Sequence, residues 1–269
     1  MKKTFGSIIV LFVSLFTISC QLNKEEKEGK EKKEIKVVKE EVKPVSEGEI
    51  IINKAIKAHG GELYNTAHYK FIFRKNEYAF KNDGSNYTYS VKRNIKDQIV
   101  EDVLNNGELS RKINGEAVEL DDKTKSRFSE ALNSVIYFAT LPYKLNDGAV
   151  NKEFKGKTTI KGEAYNVVEV TFKQEGGGKD FEDQFHYWVN EKTNTVDYLA
   201  YNYKVNSGGV RFRSSYNRRN VDGVIFQDYI NYKAEVGTPL ADLPKLYEEG
   251  KLKELSKIDT ENVVNLNKN

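Results

Sequence analysis

The side chains that could carry chemistry in this chain are three histidines, one cysteine and a large supply of carboxylates. His59, His68 and His186 are not spaced as ligand pairs on a helix or a ribbon, and one cysteine cannot build a Cys-based zinc site or a disulfide framework. Gly156-Lys157-Thr158 ends like a phosphate-binding loop. Asn151 stands where that motif needs its first glycine, however, and a strand pattern continues through Thr159 and Ile160 where a helix should open. Neither a Gly-x-Ser-x-Gly elbow nor a His-Glu-x-x-His pair occurs. The acidic residues fall into no constellation that separates general acid–base work from solvation. The sequence therefore names no catalytic residue, no metal ligand and no cofactor.

The remaining signal is aromatic: the chain has 16 Tyr and 14 Phe. Phe181, Phe185, Tyr187 and Val189 share one strand face, Tyr201 and Tyr203 a second, and Val210, Phe212 and Tyr216 a third. These rows either fill the concave side of a sheet as core or line an open concavity for an apolar ligand, with a cavity of roughly 300 Å³ or more. Under the second reading Phe73, Phe185, Tyr187, Tyr201, Tyr203 and Phe212 are the candidate lining residues. Arg211, Arg213, Arg218 and Arg219 cluster on one strand and turn, and are expected to form a solvated edge that discourages sheet-to-sheet pairing.

What must position these residues is a single β-rich domain behind a tether. Residues 8–18 are an apolar run after Met1-Lys2-Lys3, too short to span a bilayer and suited to an export signal over residues 1–19. The sole cysteine, Cys20, sits behind Ser19 where cleavage should fall. This is similar to a bacterial lipoprotein signal, with Thr17 departing from the usual apolar residue, and it implies acylation of Cys20. Two or three acyl chains give the stable anchoring that one chain lacks. Residues 20–47 form a tether dominated by Lys and Glu, too polar to pack and broken by Pro44. Extended, it would reach roughly 90 Å. Lys24-Glu25-Glu26 is similar to a surface-export signal, so the periplasmic face and the cell surface both stay open. Gln21 offers no Asp-type inner-membrane retention signal, which favours the outer membrane. Lys plus Arg is 43 and Asp plus Glu 40, a balance that argues against nucleic acid as a partner.

The globular domain is expected over residues 48–257. Ser46 and Glu49 have capping-box spacing before a short amphipathic helix at 47–59, with Gly60 as its terminator. Strand patterns follow at 69–75, 87–91, 98–104, 108–113 and 116–120, with Asn-Gly turns at Asn106-Gly107 and Asn114-Gly115. Phe128, Ala131, Leu132, Val135, Ile136 and Ala139 then recur at helical spacing, with Asp121 or Asp122 as N-cap and Pro142 closing the element. That helix should plug the concave face. Short strands at 150–154 and 157–161, a longer one at 164–172, and a meander through residue 236 complete the sheet. Leu243, Leu246, Tyr247 and Leu255 suggest a modest C-terminal helix, with residues 258–269 frayed. The class is mainly β (α+β): a strongly curved antiparallel sheet, or incomplete barrel, of about nine to eleven strands with two or three helices on its concave side. A doubly wound fold or a TIM barrel would alternate strand and helix throughout.

Lys57-Ala58-His59-Gly60-Gly61 followed by Tyr69-Lys70-Phe71-Ile72-Phe73-Arg74 resembles the opening of a family of uncharacterised Bacteroidetes-type lipoproteins. Tyr187-Trp188-Val189-Asn190, Gly208-Gly209-Val210-Arg211-Phe212 and Val221-Asp222-Gly223-Val224 are similar to its later segments. That family looks like the lipoprotein-carrier (LolA-like) superfamily. The resemblance implies an incomplete barrel of about eleven strands that holds helices in its mouth and binds acyl chains or other hydrophobic ligands. Three functions follow as expectations. The first is an anchored lipoprotein binding a lipid or other apolar molecule; the second is a structural or interaction lipoprotein with a filled core. The third, an unrecognised hydrolase, would need His186 to meet carboxylates in a polar cleft. The oligomeric state is open. Membrane fractionation checks the anchor: Cys20→Ala should move the protein from the membrane to the soluble fraction, and a variant that stays membrane-bound beside a wild type that carries no acyl group would refute acylation at this residue.

Overall fold

The computed structural model describes residues 44–175, 182–204 and 207–268. Cys20, most of the tether, the glycines at 176–178 and Phe181 lie outside the described residues. The domain opens with α1 (Glu47–His59). Ser46 caps it by accepting from the Glu49 N–H at 3.2 Å, and Ile51, Ile52, Ala55 and Ile56 form its buried face. Gly48 lies so close to a neighbouring strand that a Cβ there would meet the Lys152 carbonyl oxygen at 2.8 Å, so the first turn of α1 sits flush on the sheet. Gly60 ends the helix at φ 139, a conformation that suits glycine.

Six strands follow as a meander: β1 (His68–Phe73), β2 (Asn76–Asp83), β3 (Asn86–Ile95), β4 (Gln98–Asn105), β5 (Glu108–Ile113) and β6 (Glu116–Val118). The chain then forms α2 (Asp122–Ala139), N-capped by Asp121, whose carboxylate accepts from the Thr124 N–H at 2.9 Å. A second meander runs through β7 (Val150–Ile160), β8 (Glu163–Phe172), β9 (Gln184–Asn190), β10 (Val196–Tyr203), β11 (Gly209–Val221) and β12 (Val224–Ala234). Last come α3 (Leu243–Glu248), β13 (Lys253–Ile258) and β14 (Glu261–Asn265).

The strands make two seven-stranded antiparallel sheets, in orders β14-β1-β2-β3-β4-β5-β6 and β13-β12-β11-β10-β9-β8-β7. Neither sheet closes into a barrel. The class is the expected one, but the described residues hold fourteen strands in two sheets rather than nine to eleven in one. β2 escaped notice because its alternation merges with that of β1 across a tight turn at Arg74 and Lys75, both at positive φ. The two short strands expected at 150–161 are one strand, β7, carrying a bulge between Phe154 and Gly156. Residues 258–268, expected as part of a frayed tail, are ordered. β14 pairs with β1, placing Tyr69 opposite Asn265, and Leu255 belongs to β13 rather than to a helix. Lys-Glu-Leu-Ser-Lys-Ile favours helix locally, and pairing with β12 overrides that preference.

α1 and α2 pack on the inner face. Leu132 and Ile136 of α2 join Phe71, Phe80, Tyr89 and Leu104 of the first sheet. Tyr137 and Phe138, on another face of α2, pack against Phe185 and Tyr201 of the second. Phe128 anchors the start of α2: its ring lies 3.9 Å from the Arg111 guanidinium and 5.4 Å from that of Arg93. Both arginines pair with the buried carboxylate of Asp102. α3 departs from the expectation. It covers the outer face of the second sheet, where Leu243 and Tyr247 pack with Trp188, Tyr198 and Phe212.

The sheets meet at the two residues between β13 and β14. Buried Asp228 of β12 accepts there from the Thr260 N–H at 2.8 Å and hydroxyl at 2.9 Å, and also from Asn217 and Arg219. Removing this buried acceptor takes away the partner of the Thr260 N–H and hydroxyl and the charge that balances Arg219, which costs about 3 kcal/mol or more. Urea unfolding should therefore show Asp228→Ala destabilised by about that amount. Lys268→Ala, which removes an exposed pair with Asp222, should stay within about 0.5 kcal/mol of wild type.

Candidate functional site

A cavity of about 210 Å³ lies between the C-terminal half of α2, the end of β1 and the inner face of β10 to β13. Strand register decides what enters it. On β11 alternate residues point inward, and Arg213 stands directly opposite Asn231 of β12 and Leu199 of β10. From the second sheet Tyr201, Arg213, Tyr229 and Asn231 form the floor. Phe71, Phe73 and Arg74 close one side, and Val135, Phe138 and Ala139 of α2 close another. Ile258 and Thr260, at the junction of the two sheets, complete the lining together with Ser134 and Gln227.

Of the six residues singled out from sequence, Phe73 and Tyr201 line this cavity. Phe185 stands behind Tyr201, with the two rings stacked at 5.2 Å. Tyr187 is fully buried, its hydroxyl 2.9 Å from that of Tyr137, so it is core and not lining. Tyr203 lies away from the cavity against the Arg211 guanidinium, 5.1 Å from its ring centroid. Phe212 is a correction. It pairs in register with Ala200, and both side chains face outward beneath α3, because one residue along a strand reverses the face. The cavity is also smaller than the 300 Å³ expected of an open concavity, since α2 and its aromatic side chains occupy most of the space between the sheets.

The arginine cluster is a second correction. β11 lies inside its sheet, between β10 and β12, so these arginines do not guard an edge. Arg218 pairs with Asp197, and Arg219 with Asp228 and Thr260. Arg213 is only 7% exposed. One of its terminal nitrogens, Nη2, donates to the Tyr201 hydroxyl at 3.0 Å, and its guanidinium lies 3.8 Å from the Phe138 ring. Arg213, Asn231, Tyr229 and Phe138 are among the lining residues that sequence reasoning missed. Strand parity carried the signal for Arg213, which is two residues from Arg211, opposite Tyr201. The hairpin register was needed to use it.

The histidines sit elsewhere. His186 projects from the outer face of β9, on the side of Trp188, and its Nε2 lies 3.2 Å from Glu169. Burial lowers its pKa against the opposing pull of that carboxylate. The pair has acid–base composition, but the sheet separates it from the cavity. Among the described residues, no group of His, Cys, Asp and Glu is arranged to hold a metal ion. His59, at the end of α1, is fully buried and accepts from the Val196 N–H through Nε2 at 3.2 Å. Burial, helped by the nearby Arg218 charge, pushes its pKa down to about 3.

A histidine held neutral in the fold but free to protonate when unfolded contributes stability that is lost as pH falls from about 6.5 toward 3. Urea midpoints measured between pH 6.5 and 4.5, above most carboxylate titrations, should decline with falling pH. His59→Gln should flatten that decline by up to one proton. An unchanged slope would show that His59 is not held neutral.

No curated protein matches the chain. Among solved structures it is similar to a LolA superfamily protein from Nitrosomonas europaea, at 12% identity and TM-score 0.47, over 80% of this chain and 92% of that one. A DUF1329 family protein from Desulfovibrio piger is similar at 11% identity and TM-score 0.42, over 82% and 94% of the two chains. The Mycobacterium tuberculosis lipoprotein LppX is similar at 12% identity and TM-score 0.29, over 60% and 89%. The family model for DUF6503, described as a family of unknown function, matches residues 3–260, and this chain therefore belongs to the DUF6503 family.

Proposed function

We propose that this protein is an envelope lipoprotein, anchored to the outer membrane through Cys20, that takes an apolar ligand such as a lipid or acyl chain into the cavity beside α2. The observation that carries the reading is the cavity itself: it lies against the inner face of a sheet and is walled by Phe71, Phe73, Phe138, Tyr201 and Tyr229. Ring and aliphatic walls recover about 25 cal/mol for each Å² of apolar surface they remove from water, so a hydrocarbon chain needs few polar contacts to be held. At about 210 Å³ the cavity encloses a segment of such a chain rather than a whole lipid, and the remainder extends from its mouth. An acyl anchor on Cys20 would keep the domain at the membrane that supplies such a ligand.

One observation favours a second reading, a structural or interaction lipoprotein without a ligand. The core around the cavity is closely filled, with Tyr187, Leu199 and Ile136 fully buried. Native mass spectrometry of the full-length protein purified from its own membrane, with lipid extraction alongside, separates the two. Recovery of a stoichiometric lipid supports the ligand reading. Ala139→Phe, which places a ring in the cavity, should lower uptake of a fluorescent acyl probe at least tenfold without loss of near-ultraviolet circular dichroism. A protein that emerges without lipid, and takes up no probe in either form, supports the structural reading.

A further inference from the structure

Arg213 is a buried cation whose nearest partners do not neutralise it. Its Nε and its other terminal nitrogen, Nη1, are buried without a hydrogen-bond partner, and among the described residues no carboxylate pairs with it. Its neighbours on β11 behave differently. Arg218 and Arg219 each hold an aspartate, and the side chain of Arg211 donates to the Val210 carbonyl. The contacts that Arg213 does make, to the Tyr201 hydroxyl and the Phe138 ring, orient the guanidinium without satisfying it.

The surroundings match that unmet demand. Asn231, directly across the ladder from Arg213, has its side-chain oxygen buried and unpaired, and its amide can turn either edge toward a ligand. No residue lining the cavity is Asp or Glu. A second arginine, Arg74, lies exposed at the β1–β2 turn, 5.1 Å from the centroid of the Phe73 ring. A low-dielectric cavity with two cations and no lining carboxylate carries a positive field along its length. A buried charge is costly until it is paired, and an anion that brings its own apolar tail would pair it while filling the rest of the cavity.

We propose that Arg213 selects, for the apolar site inferred above, a ligand whose hydrocarbon chain ends in an anionic group, a carboxylate or phosphate monoester. The inference rests on the apolar-ligand reading and adds head-group selectivity to it. Arg213 is the donor to the anion, Asn231 a neighbouring polar contact, and Phe138 and Tyr201 the surfaces that hold the guanidinium in place.

Binding of laurate, dodecyl phosphate and 1-dodecanol to the full-length chain carrying Cys20→Ala, below their micellar range at pH 7.5, tests this. Laurate or dodecyl phosphate should bind at least tenfold more tightly than dodecanol. Arg213→Met should bring the binding of the anionic probes down to the level of dodecanol measured with the same variant. Because the substitution removes an unpaired buried charge, its melting temperature should equal or exceed that of the parent. Equal binding of all three probes to the parent chain, a comparison needing no variant, would overturn the selectivity and leave the apolar site standing. No binding of any probe would remove the apolar-ligand reading itself. Inorganic phosphate binding as tightly as dodecyl phosphate would assign Arg213 to a free anion and overturn the lipid head group. A clear fall in melting temperature for Arg213→Met would assign the arginine a structural role instead.

Discussion

The carboxylate of Asp228 ties the two sheets together at the point where the chain passes from one to the other. It is 2% exposed and carries four donors: the backbone and hydroxyl of Thr260, the amide of Asn217 and the guanidinium of Arg219. A buried carboxylate is tolerable only when its acceptor sites are so filled, and here filling them fixes where β13 stops and β14 begins. The turn between those strands passes the chain from one sheet to the other. Tyr216, bonded to Asp259, and Tyr69, whose hydroxyl donates to the Val221 carbonyl at 3.1 Å, reinforce the same junction. Because Ile258 and Thr260 line the cavity, the network that joins the sheets also sets one wall of the site.

The position of α2 follows from a comparable arrangement at the other end. Asp102 is buried between Arg93 and Arg111, and those guanidiniums present a flat cationic surface to Phe128. The helix is thereby pinned near its start to β3 and β5. Leu132 and Ile136 continue the contact with the first sheet, and Tyr137 and Phe138 reach the second. An 18-residue helix is long enough to cross between the two sheets, and too narrow to fill all the space where they diverge. The cavity is that remainder. Behind its aromatic lining, Tyr187 and Tyr137 bond through their hydroxyls and belong to the filled core.

Much of the fold was legible in local patterns. Ser46 and Glu49 marked the start of α1, the pair Asp121 and Asp122 that of α2, and Asn-Gly and Asp-Gly pairs marked the hairpins, because capping and turn chemistry are settled within a few residues. β13 and β14 were not legible. Their residues carry little alternation, and their strand state comes from partners on β12 and, far earlier in the chain, on β1. The site was half legible. Phe73 and Tyr201 could be named as exposed-face aromatics of strands, whereas Phe212 was assigned to the wrong face and Arg213 to a solvent edge. Both errors have one cause: the face that a side chain takes depends on hairpin register and on which strands lie outermost, and a one-residue change in register inverts every assignment.

What the sequence determined by itself, then, is the material: a mainly β domain, its capped helices, its turns, and a store of aromatic side chains large enough to form cores on both faces of a sheet. Those properties are local, set by composition, periodicity and short-range hydrogen bonding. Only the tertiary structure decided that the strands divide into two sheets, that α3 covers the outer face, and that Arg213 lies buried beside Phe138 with two of its nitrogens unpaired. These depend on contacts between segments distant in the chain, and a charged residue on a strand reads the same in sequence whether its face meets water or a cavity.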